Sequence, residues 1–137
     1  MAISEQWFER NCKARNVSLT RFNALPLIID GRGVAYLPLQ DTLLVSDLHF
    51  EKGSFLRQHG SPLPEYDTLA TLTRLADIVG DYAPAKVVCL GDSFHDVQSV
   101  ARMSAEDYSA LTDLTGKVDE WLWVEGNHDR ELPASLP

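Results

Sequence analysis

Cysteine is scarce in this chain of 137 residues, where only Cys12 and Cys89 occur. Two cysteines cannot form the disulfide framework of a small secreted domain, so a reducing, cytoplasmic location is expected. Cys89 lies within an apolar run and is expected to be a small buried side chain. Long apolar runs are also lacking, which argues against a membrane-spanning helix of about 18 residues, and the N-terminal residues lack the apolar core of a signal peptide.

Basic residues are also few: 12 Lys and Arg stand against 20 Asp and Glu, for a formal net charge of −8. Broad electrostatic attraction to nucleic acid requires clustered Lys and Arg, so this balance argues against a nonspecific nucleic-acid-binding surface. It does not argue against a nucleic-acid substrate, because bound divalent metal ions would supply positive charge that the count of charged residues omits.

The composition is otherwise ordinary for a globular protein, with 45% hydrophobic and 23% charged residues. That composition suits a single domain over residues 1–137. Residues 1 to about 22 have the weakest pattern and are expected to form either a short docking helix or a tail. From Leu25 onwards, two short apolar runs around the glycine-rich segment Asp30–Gly33 predict a β-hairpin.

After the hairpin, apolar runs and helical periodicity alternate. The predicted elements are a fully buried strand over 42–46, a loop over 50–64, a helix over 66–79, a strand over 86–90, a helix over 105–118 and a strand over 121–124. Asp67 and Ser104 are expected to cap the two helices at their N-termini, and Gly80 is expected to end the first. This alternation predicts an α/β fold with helices packed on a sheet.

A polar cluster follows each of the last three predicted strands: Asp47 and His49, then Asp92, then Asn127 and His128. In α/β sheets, ligands bind beyond the carboxyl ends of the strands, which is where these residues fall. Asp47 and His49 are two positions apart, so in an extended segment both side chains would reach one ion. Asp92 can bridge two cations through its two oxygens, and Asn127 offers a neutral amide oxygen.

Mixed imidazole and oxygen ligands suit Mn²⁺, with Fe and Zn²⁺ as alternatives. Two such ions about 4 Å apart would polarise a phosphoryl group and activate water. His128, if it is not a ligand, could donate a proton to the leaving oxygen. Each cluster alone is weak evidence, but their order and shared position after three strands jointly indicate metal-dependent phosphoester chemistry.

The motifs over residues 42–130 resemble those of the calcineurin-like metallophosphoesterase superfamily: Asp47-x-His49, Gly91-Asp92-x-x-His95 and Gly126-Asn127-His128-Asp129. The resemblance implies the N-terminal part of an αββα sandwich around two divalent metal ions. It implies that Asp47 and His49 bind the first ion and that Asp92 bridges both. Asn127 would bind the second ion. His128 would contact the phosphate and assist the leaving group.

A narrower resemblance rests on residues 47–53, 64–68 and 90–96. These segments are similar to the bacterial ligase-associated DNA-damage-response phosphoesterases, which are assigned as endonucleases and associated with a DNA ligase and a helicase. The form Gly-Asp-x-Phe-His also resembles repair nucleases that process double-strand breaks. In those enzymes the histidine matching His95 helps to position the phosphate. DNA as substrate and a role in DNA repair are what this resemblance implies.

The chain departs from the superfamily pattern after His128. The further His and the Gly-His-x-His that complete both metal shells are absent, so the domain is expected to be incomplete at its C-terminus or to receive ligands from elsewhere. Two alternative functions are hydrolysis of a small nucleotide or nucleotide-lipid, and a non-catalytic metal-binding or interaction module. The first would require a cap insertion, but only 45 positions separate Asp47 from Asp92, and 35 separate Asp92 from Asn127.

Other polar residues near the motifs have simpler interpretations. Arg130, beside the last motif, is a candidate contact to the substrate. His59 lies in a Gly/Pro-rich segment and is expected to be a solvated loop histidine. Asp129 is expected to fix a neighbouring group by hydrogen bonds. Three further charged residues are expected at the surface: Glu51, Lys52 and Arg57. Asp96 is expected to be a cap rather than a ligand.

Overall fold

The computed structural model describes residues 3–60 and 67–137. Within these residues, six strands form one sheet, and five helices accompany it. The strands are β1 (Val17–Phe22), β2 (Leu25–Asp30), β3 (Val34–Leu37), β4 (Thr42–Val45), β5 (Lys86–Cys89) and β6 (Glu120–Trp123). The helices are α1 (Glu5–Lys13), α2 (Lys52–Gln58), α3 (Asp67–Tyr82), α4 (Ser99–Arg102) and α5 (Ala105–Gly116). No helix in the described part of the chain is long and apolar enough to cross a membrane.

The strands lie in the sheet in the order in which they occur along the chain. β1 to β4 form an antiparallel meander, whereas β4, β5 and β6 are parallel, with Leu43 opposite Val87 and Val87 opposite Trp121. The helices α2 to α5 lie in the connections between the parallel strands. The carboxyl ends of β4, β5 and β6 therefore meet at one edge of the sheet, and the loops that leave them are neighbours.

One face of the sheet carries the core. A row of side chains across four strands is at most 4% exposed: Ile28, Tyr36, Leu43 and Val87. It packs in one cluster with apolar residues of α3 and α5, including Leu72, Ile78 and Leu111. The adjacent row points to the other face, where Ile29 and Leu122 are each 42% exposed. Cys89 is buried as predicted, and burial raises the pKa of its thiol to about 12.

Much of the predicted pattern is confirmed. β2 and β3 form the predicted hairpin, in which Gly33 has a φ of 91° and its N–H donates to the Asp30 carbonyl at 2.9 Å. β4, β5 and β6 each lie within one residue of their predicted bounds. Ser104 caps α5, with its hydroxyl accepting from the Asp107 N–H at 3.1 Å. The prediction that β4 is fully buried is wrong at Leu44, which lies in the row on the open face.

The N-terminal segment has more structure than its sequence pattern suggested. The predicted short helix is confirmed by α1, which Ser4 caps and whose Trp7 ring packs against Tyr82 with 5.5 Å between centroids. The alternative of a tail is wrong, because β1 then forms an edge strand of the sheet. That strand gave no sequence signal because only Val17, its first residue, is buried.

Two helices that follow β4 in the chain also differ from prediction. The predicted loop over 50–64 contains α2, which begins directly after the first motif; residues 61–64 lie outside the described residues. Gly80 does not end α3, which continues to Tyr82 because that side chain is fully buried and its hydroxyl donates to Asp30 at 2.9 Å. The predicted first residue of this helix, Tyr66, is likewise outside the described residues. Asp67 lies in the first turn.

Candidate metal centre

Two loops at the carboxyl edge of the sheet run side by side, one after β4 and one after β5. Four backbone hydrogen bonds join them: Asp47 N–H to Gly91 C=O (3.1 Å), His49 N–H to Asp92 C=O (3.0 Å), Phe50 N–H to Ser93 C=O (2.8 Å) and His95 N–H to Phe50 C=O (3.0 Å). Phe50 and Phe94, each 1% exposed, anchor the pair of loops in the core. The first two motifs are thereby held at a fixed separation.

Four residues of these loops have left-handed backbone conformations: Asp47 (φ 53°), His49 (φ 48°), Glu51 (φ 65°) and Asp92 (φ 50°). Such conformations are uncommon for residues with a side chain, cost on the order of 1–3 kcal/mol each and cluster at functional sites. The expectation of an extended segment from Asp47 to His49 is therefore wrong. The two side chains nevertheless meet, with 3.8 Å between Asp47 Oδ1 and His49 Nε2.

Asp47, His49 and Asp92 form one group of candidate metal ligands, in which one ligand atom of each residue lies within 4.8 Å of the others. The Nδ1 atom of His49 is buried and has no hydrogen-bond partner among the described residues. Asp47 is 64% exposed, so its carboxylate is open to an ion from solvent. Two carboxylates beside such an imidazole fit a divalent ion of the Mn²⁺, Fe and Zn²⁺ class. The structure thus brings together three of the four predicted ligands.

The third motif approaches the same place from the loop after β6. The His128 N–H donates to Asp92 Oδ1 at 2.8 Å, which holds one carboxylate oxygen in position. A Cβ at Gly126 would overlap the Asp92 carboxylate and lie 2.5 Å from the Asp92 backbone nitrogen, so only glycine allows this approach. Asn127 and Arg130, the predicted second-metal ligand and substrate contact, are exposed residues of this loop.

Asp129 joins the loop after β5 to the loop after β6 through hydrogen bonds. Its side chain is 1% exposed and accepts hydrogen bonds from four backbone N–H groups: Asp92 (3.1 Å), Ser93 (2.9 Å), Phe94 (3.2 Å) and Gly126 (2.6 Å). A carboxylate that accepts this many bonds is fully used within the fold and is not available as a ligand. The predicted structural role of Asp129 is confirmed.

Three histidines gather beside the carboxylates. One ring nitrogen each of His49, His95 and His128 lies within 4.8 Å of the others, and the ring centroids are 5.0 to 5.7 Å apart. Burial lowers the pKa of His95 below its usual value, and the neighbouring His128 and His49 lower it further. His95 is therefore a neutral imidazole near pH 7. Its Nδ1 has no hydrogen-bond partner among the described residues.

His59, in contrast, lies outside this group. It is exposed at the end of α2, its ring stacks on Phe55 with 4.2 Å between centroids, and its Nδ1 is 2.7 Å from the Phe55 carbonyl oxygen. The prediction of a solvated histidine is confirmed for its exposure, although a helix end replaces the expected loop.

Several residues that support the loop after β4 by hydrogen bonds were not predicted from the sequence. Glu51 was expected at the surface but is 6% exposed, because its carboxylate accepts a hydrogen bond from Thr68 of α3. The Thr68 hydroxyl in turn accepts from the Glu51 N–H at 2.9 Å. Gly53 leaves room for the Asp67 carboxylate, which accepts from the Gly53 N–H at 2.7 Å. These contacts tie the first motif to α3.

Arg102 of α4 is another of these residues. It donates to both carboxylate oxygens of Asp96, at 2.9 and 2.7 Å, and also to Ser54 Oγ and to the Glu51 carbonyl. The predicted capping role of Asp96 is wrong, because the N-cap of α4 is Gln98 and has no side-chain capping bond; the Gln98 N–H donates to Asp96 Oδ1 at 2.8 Å in the turn before the helix. The hydrogen bonds from Arg102 hold the pKa of Asp96 below its usual value. The contacts of Arg102 with Ser54 and Glu51 could not be predicted from the sequence, because about 50 positions separate these residues.

Comparisons with known proteins identify a structural relative and a family for this chain. A search of curated proteins finds no match. The structure is similar to the crystal structure of nuclease MPE from Pseudomonas putida, with a TM-score of 0.67 and 23% sequence identity. The similarity covers 87% of this chain but 55% of the nuclease, so the chain spans little more than half of that protein. The family model of the calcineurin-like phosphoesterases matches residues 41–136, which include all three motifs, so the six-stranded sheet and its helices form a partial calcineurin-like α/β fold. The chain therefore belongs to that family.

Proposed function

We propose that this chain is the metal-binding part of a phosphodiesterase of the endonuclease type. The observation that carries the proposal is the convergence of Asp47, His49 and Asp92, whose ligand atoms lie within 4.8 Å of one another on strained, hydrogen-bonded loops. Family membership supports the hydrolysis of phosphoric esters with divalent metal ions. Mn²⁺ is the proposed ion, since the ligands are mainly oxygens.

Each motif has a separate task in this proposal. Asp47 and His49 would hold one ion, Asp92 would contribute to both metal positions, and Asn127 would contribute to the second. Bound divalent ions would supply Lewis acidity at the phosphoryl group and acidify water. His128, exposed beside Asp92, donates the proton that the leaving oxygen needs.

His95 has a different task, which its surroundings favour. As a neutral and partly buried imidazole, it hydrogen-bonds a phosphate oxygen without changing its own charge. His95 and His128 stack with 5.3 Å between ring centroids, so both can face the same phosphoryl group. Arg130 is the proposed further contact to the substrate. It is exposed in the loop after β6, where a cation would meet a phosphate that extends beyond the two histidines.

DNA is the proposed substrate. The structural relative is a nuclease, and the resemblance of residues 47–53 and 90–96 to ligase-associated phosphoesterases adds DNA repair, with a DNA ligase and a helicase as functional associates. The net charge of −8 means that attraction to DNA must arise locally, from the bound cations. A cytoplasmic location accords with two cysteines that are both free.

The test is hydrolysis of a chromogenic phosphodiester and of the matching monoester, with Mn²⁺ and with EDTA. We expect the diester to be hydrolysed faster, and His128→Ala to lose turnover by about 10²–10⁴-fold, as expected for a general acid. His59→Ala is the matched control, because that exposed histidine lies outside the cluster.

Two results would change the proposal. A preference for the monoester would favour the small-molecule alternative. A folded chain without turnover would favour the non-catalytic alternative for this segment alone, which the coverage of only 55% of the nuclease supports. In that case the same assay on a protein extended beyond residue 137 decides whether the family chemistry is present.

A further inference from the structure

We propose that the loops contain a second, alternative metal site made only of nitrogen ligands: His49, His95 and His128. One ring nitrogen of each residue lies within 4.8 Å of the others. The oxygen-rich set consists of Asp47, His49 and Asp92, so the two sets share only His49. Three imidazoles with an open fourth position are a zinc-binding arrangement, so the expected ion is Zn²⁺, for which Co²⁺ can substitute.

The distances permit such a site after a small movement. In a tetrahedral zinc site with Zn–N bonds of about 2.0–2.1 Å, the ligand nitrogens are about 3.4 Å apart. The upper limit of 4.8 Å therefore has to shorten by about 1.4 Å at most. The rings of His95 and His128 are stacked at 25°, so one must turn to point at a common ion. His128 is exposed, and a turn of its side chain displaces no core residue.

The surroundings of the rings also favour a metal ligand over a packed core histidine. Buried polar atoms in folded proteins are nearly always hydrogen-bonded, and an unpaired one costs about 1–3 kcal/mol. Both His49 and His95 have a buried Nδ1 without a hydrogen-bond partner among the described residues. Two unpaired ring nitrogens within one cluster of three histidines point to an electron-pair acceptor that the cluster binds.

The two ligand sets differ in the ions they prefer. Carboxylates and amide oxygens suit Mn²⁺, whereas imidazole nitrogens favour Zn²⁺, which also stands above Mn²⁺ in general affinity. Zn²⁺ in the three-histidine site would occupy His95 and His128 and keep both from the phosphate. We therefore expect Zn²⁺ to oppose Mn²⁺-dependent hydrolysis. This consequence rests on the proposed function, whereas the site itself does not.

Cobalt provides a readout that needs no substrate. Titration of the 137-residue chain with Co²⁺ should give the intense visible absorption of a four-coordinate ion rather than the faint bands of six-coordinate Co²⁺. His95→Gln and His128→Gln should each weaken binding by at least about tenfold, because even the loss of a residue that only orients a ligand costs about 10–100-fold. His59→Gln, the exposed matched control, should leave the titration unchanged.

A third variant, Asp47→Asn, separates the two ligand sets. It should retain the four-coordinate spectrum, because Asp47 belongs only to the oxygen-rich set. The proposal is overturned if wild-type chain shows only six-coordinate bands, if the spectrum survives both histidine variants, or if Asp47→Asn removes it as His95→Gln does. His128 is exposed, so its variant remains informative even if His95→Gln fails to fold. Because no substrate is present, absence of hydrolysis leaves this result unaffected.

Discussion

Two clusters of charged and polar groups in the described part of the chain differ in how their hydrogen bonds are completed. At the end of α3, both oxygens of buried Asp30 accept hydrogen bonds, from Arg32 and from Tyr82, and Arg32 also donates to Asp81 at 2.7 Å. In the metal loops, His49 and His95 each keep an unpaired ring nitrogen. The first cluster is satisfied within the chain, whereas the second needs a ligand from outside it.

The difference shows how to separate residues that stabilise this fold from residues that act on something else. Burial alone does not distinguish them, since Asp30 and Asp129 are both nearly inaccessible. Hydrogen bonding separates these residues: both carboxylates are saturated by the protein, whereas Asp47 is open to solvent and His49 and His95 each keep an unpaired Nδ1. Three substitutions test this division, in order of expected effect, and a fourth, at an exposed ion pair, serves as a reference for a small effect.

Asp129→Ala should have the largest effect. It leaves four backbone N–H groups without their acceptor, and a lost charged hydrogen-bond network of this kind costs about 3 kcal/mol or more. Urea unfolding should show that loss, and Mn²⁺ titration should show weaker binding, because the Asp92 loop loses its support. Unchanged metal affinity at reduced stability would contradict this assignment.

Asp30→Ala should destabilise the fold by about 2 kcal/mol, less than a fully buried pair would, because Arg32 is 32% exposed and keeps Asp81. Metal affinity should not change, because neither Asp30 nor Arg32 belongs to a candidate ligand group, although Arg32 and Asp47 line one common pocket. The same urea and Mn²⁺ titrations measure both quantities. A parallel loss of metal affinity would mean that the two clusters are coupled.

The free energy of unfolding at acidic pH should also show the contribution of the Asp30 cluster. Burial raises the pKa of Asp30, but hydrogen bonds from Arg32 and Tyr82, together with the Arg32 charge, outweigh burial and hold the pKa below the usual 3.8. Folding therefore favours the ionised carboxylate, whose stabilisation is present above the usual pKa and is lost as the pH falls through the lowered one. In Asp30→Asn this part of the acid-induced loss of stability should vanish, which unfolding curves at several acidic pH values can measure.

Glu120→Gln should have the smallest effect. It removes the 2.8 Å ion pair with Lys86 between β6 and β5, in which the side chains are 51% and 37% exposed. Exposed pairs contribute little, so the free energy of unfolding should change by about 0.5 kcal/mol or less, and less still at high salt. A larger change would show that this strand edge is more protected than its exposure indicates.

The sequence was sufficient where local pattern and topology agree. Three apolar runs, each followed by polar residues, predicted β4, β5 and β6 and the convergence of Asp47 and Asp92, because parallel strands end at one edge. It was insufficient where a residue depends on distant partners. From the sequence, Glu51 is predicted to be a surface charge, but in the structure Thr68 donates a hydrogen bond to its carboxylate. Gly53 is predicted to be a loop residue, but in the structure its lack of a side chain leaves room for the Asp67 carboxylate.

Asp129 has a consequence for how the chain is made. During synthesis the loops after β4 and β5 emerge first, yet the carboxylate that supports the second of them is the last part of the three motifs to appear. The loops can pair with each other earlier, but the Asp92 turn stays unsupported until β6 has docked. The hydrogen bonds that fix the candidate ligand Asp92 therefore form only after β6 has been made, later than the residues of the first two motifs.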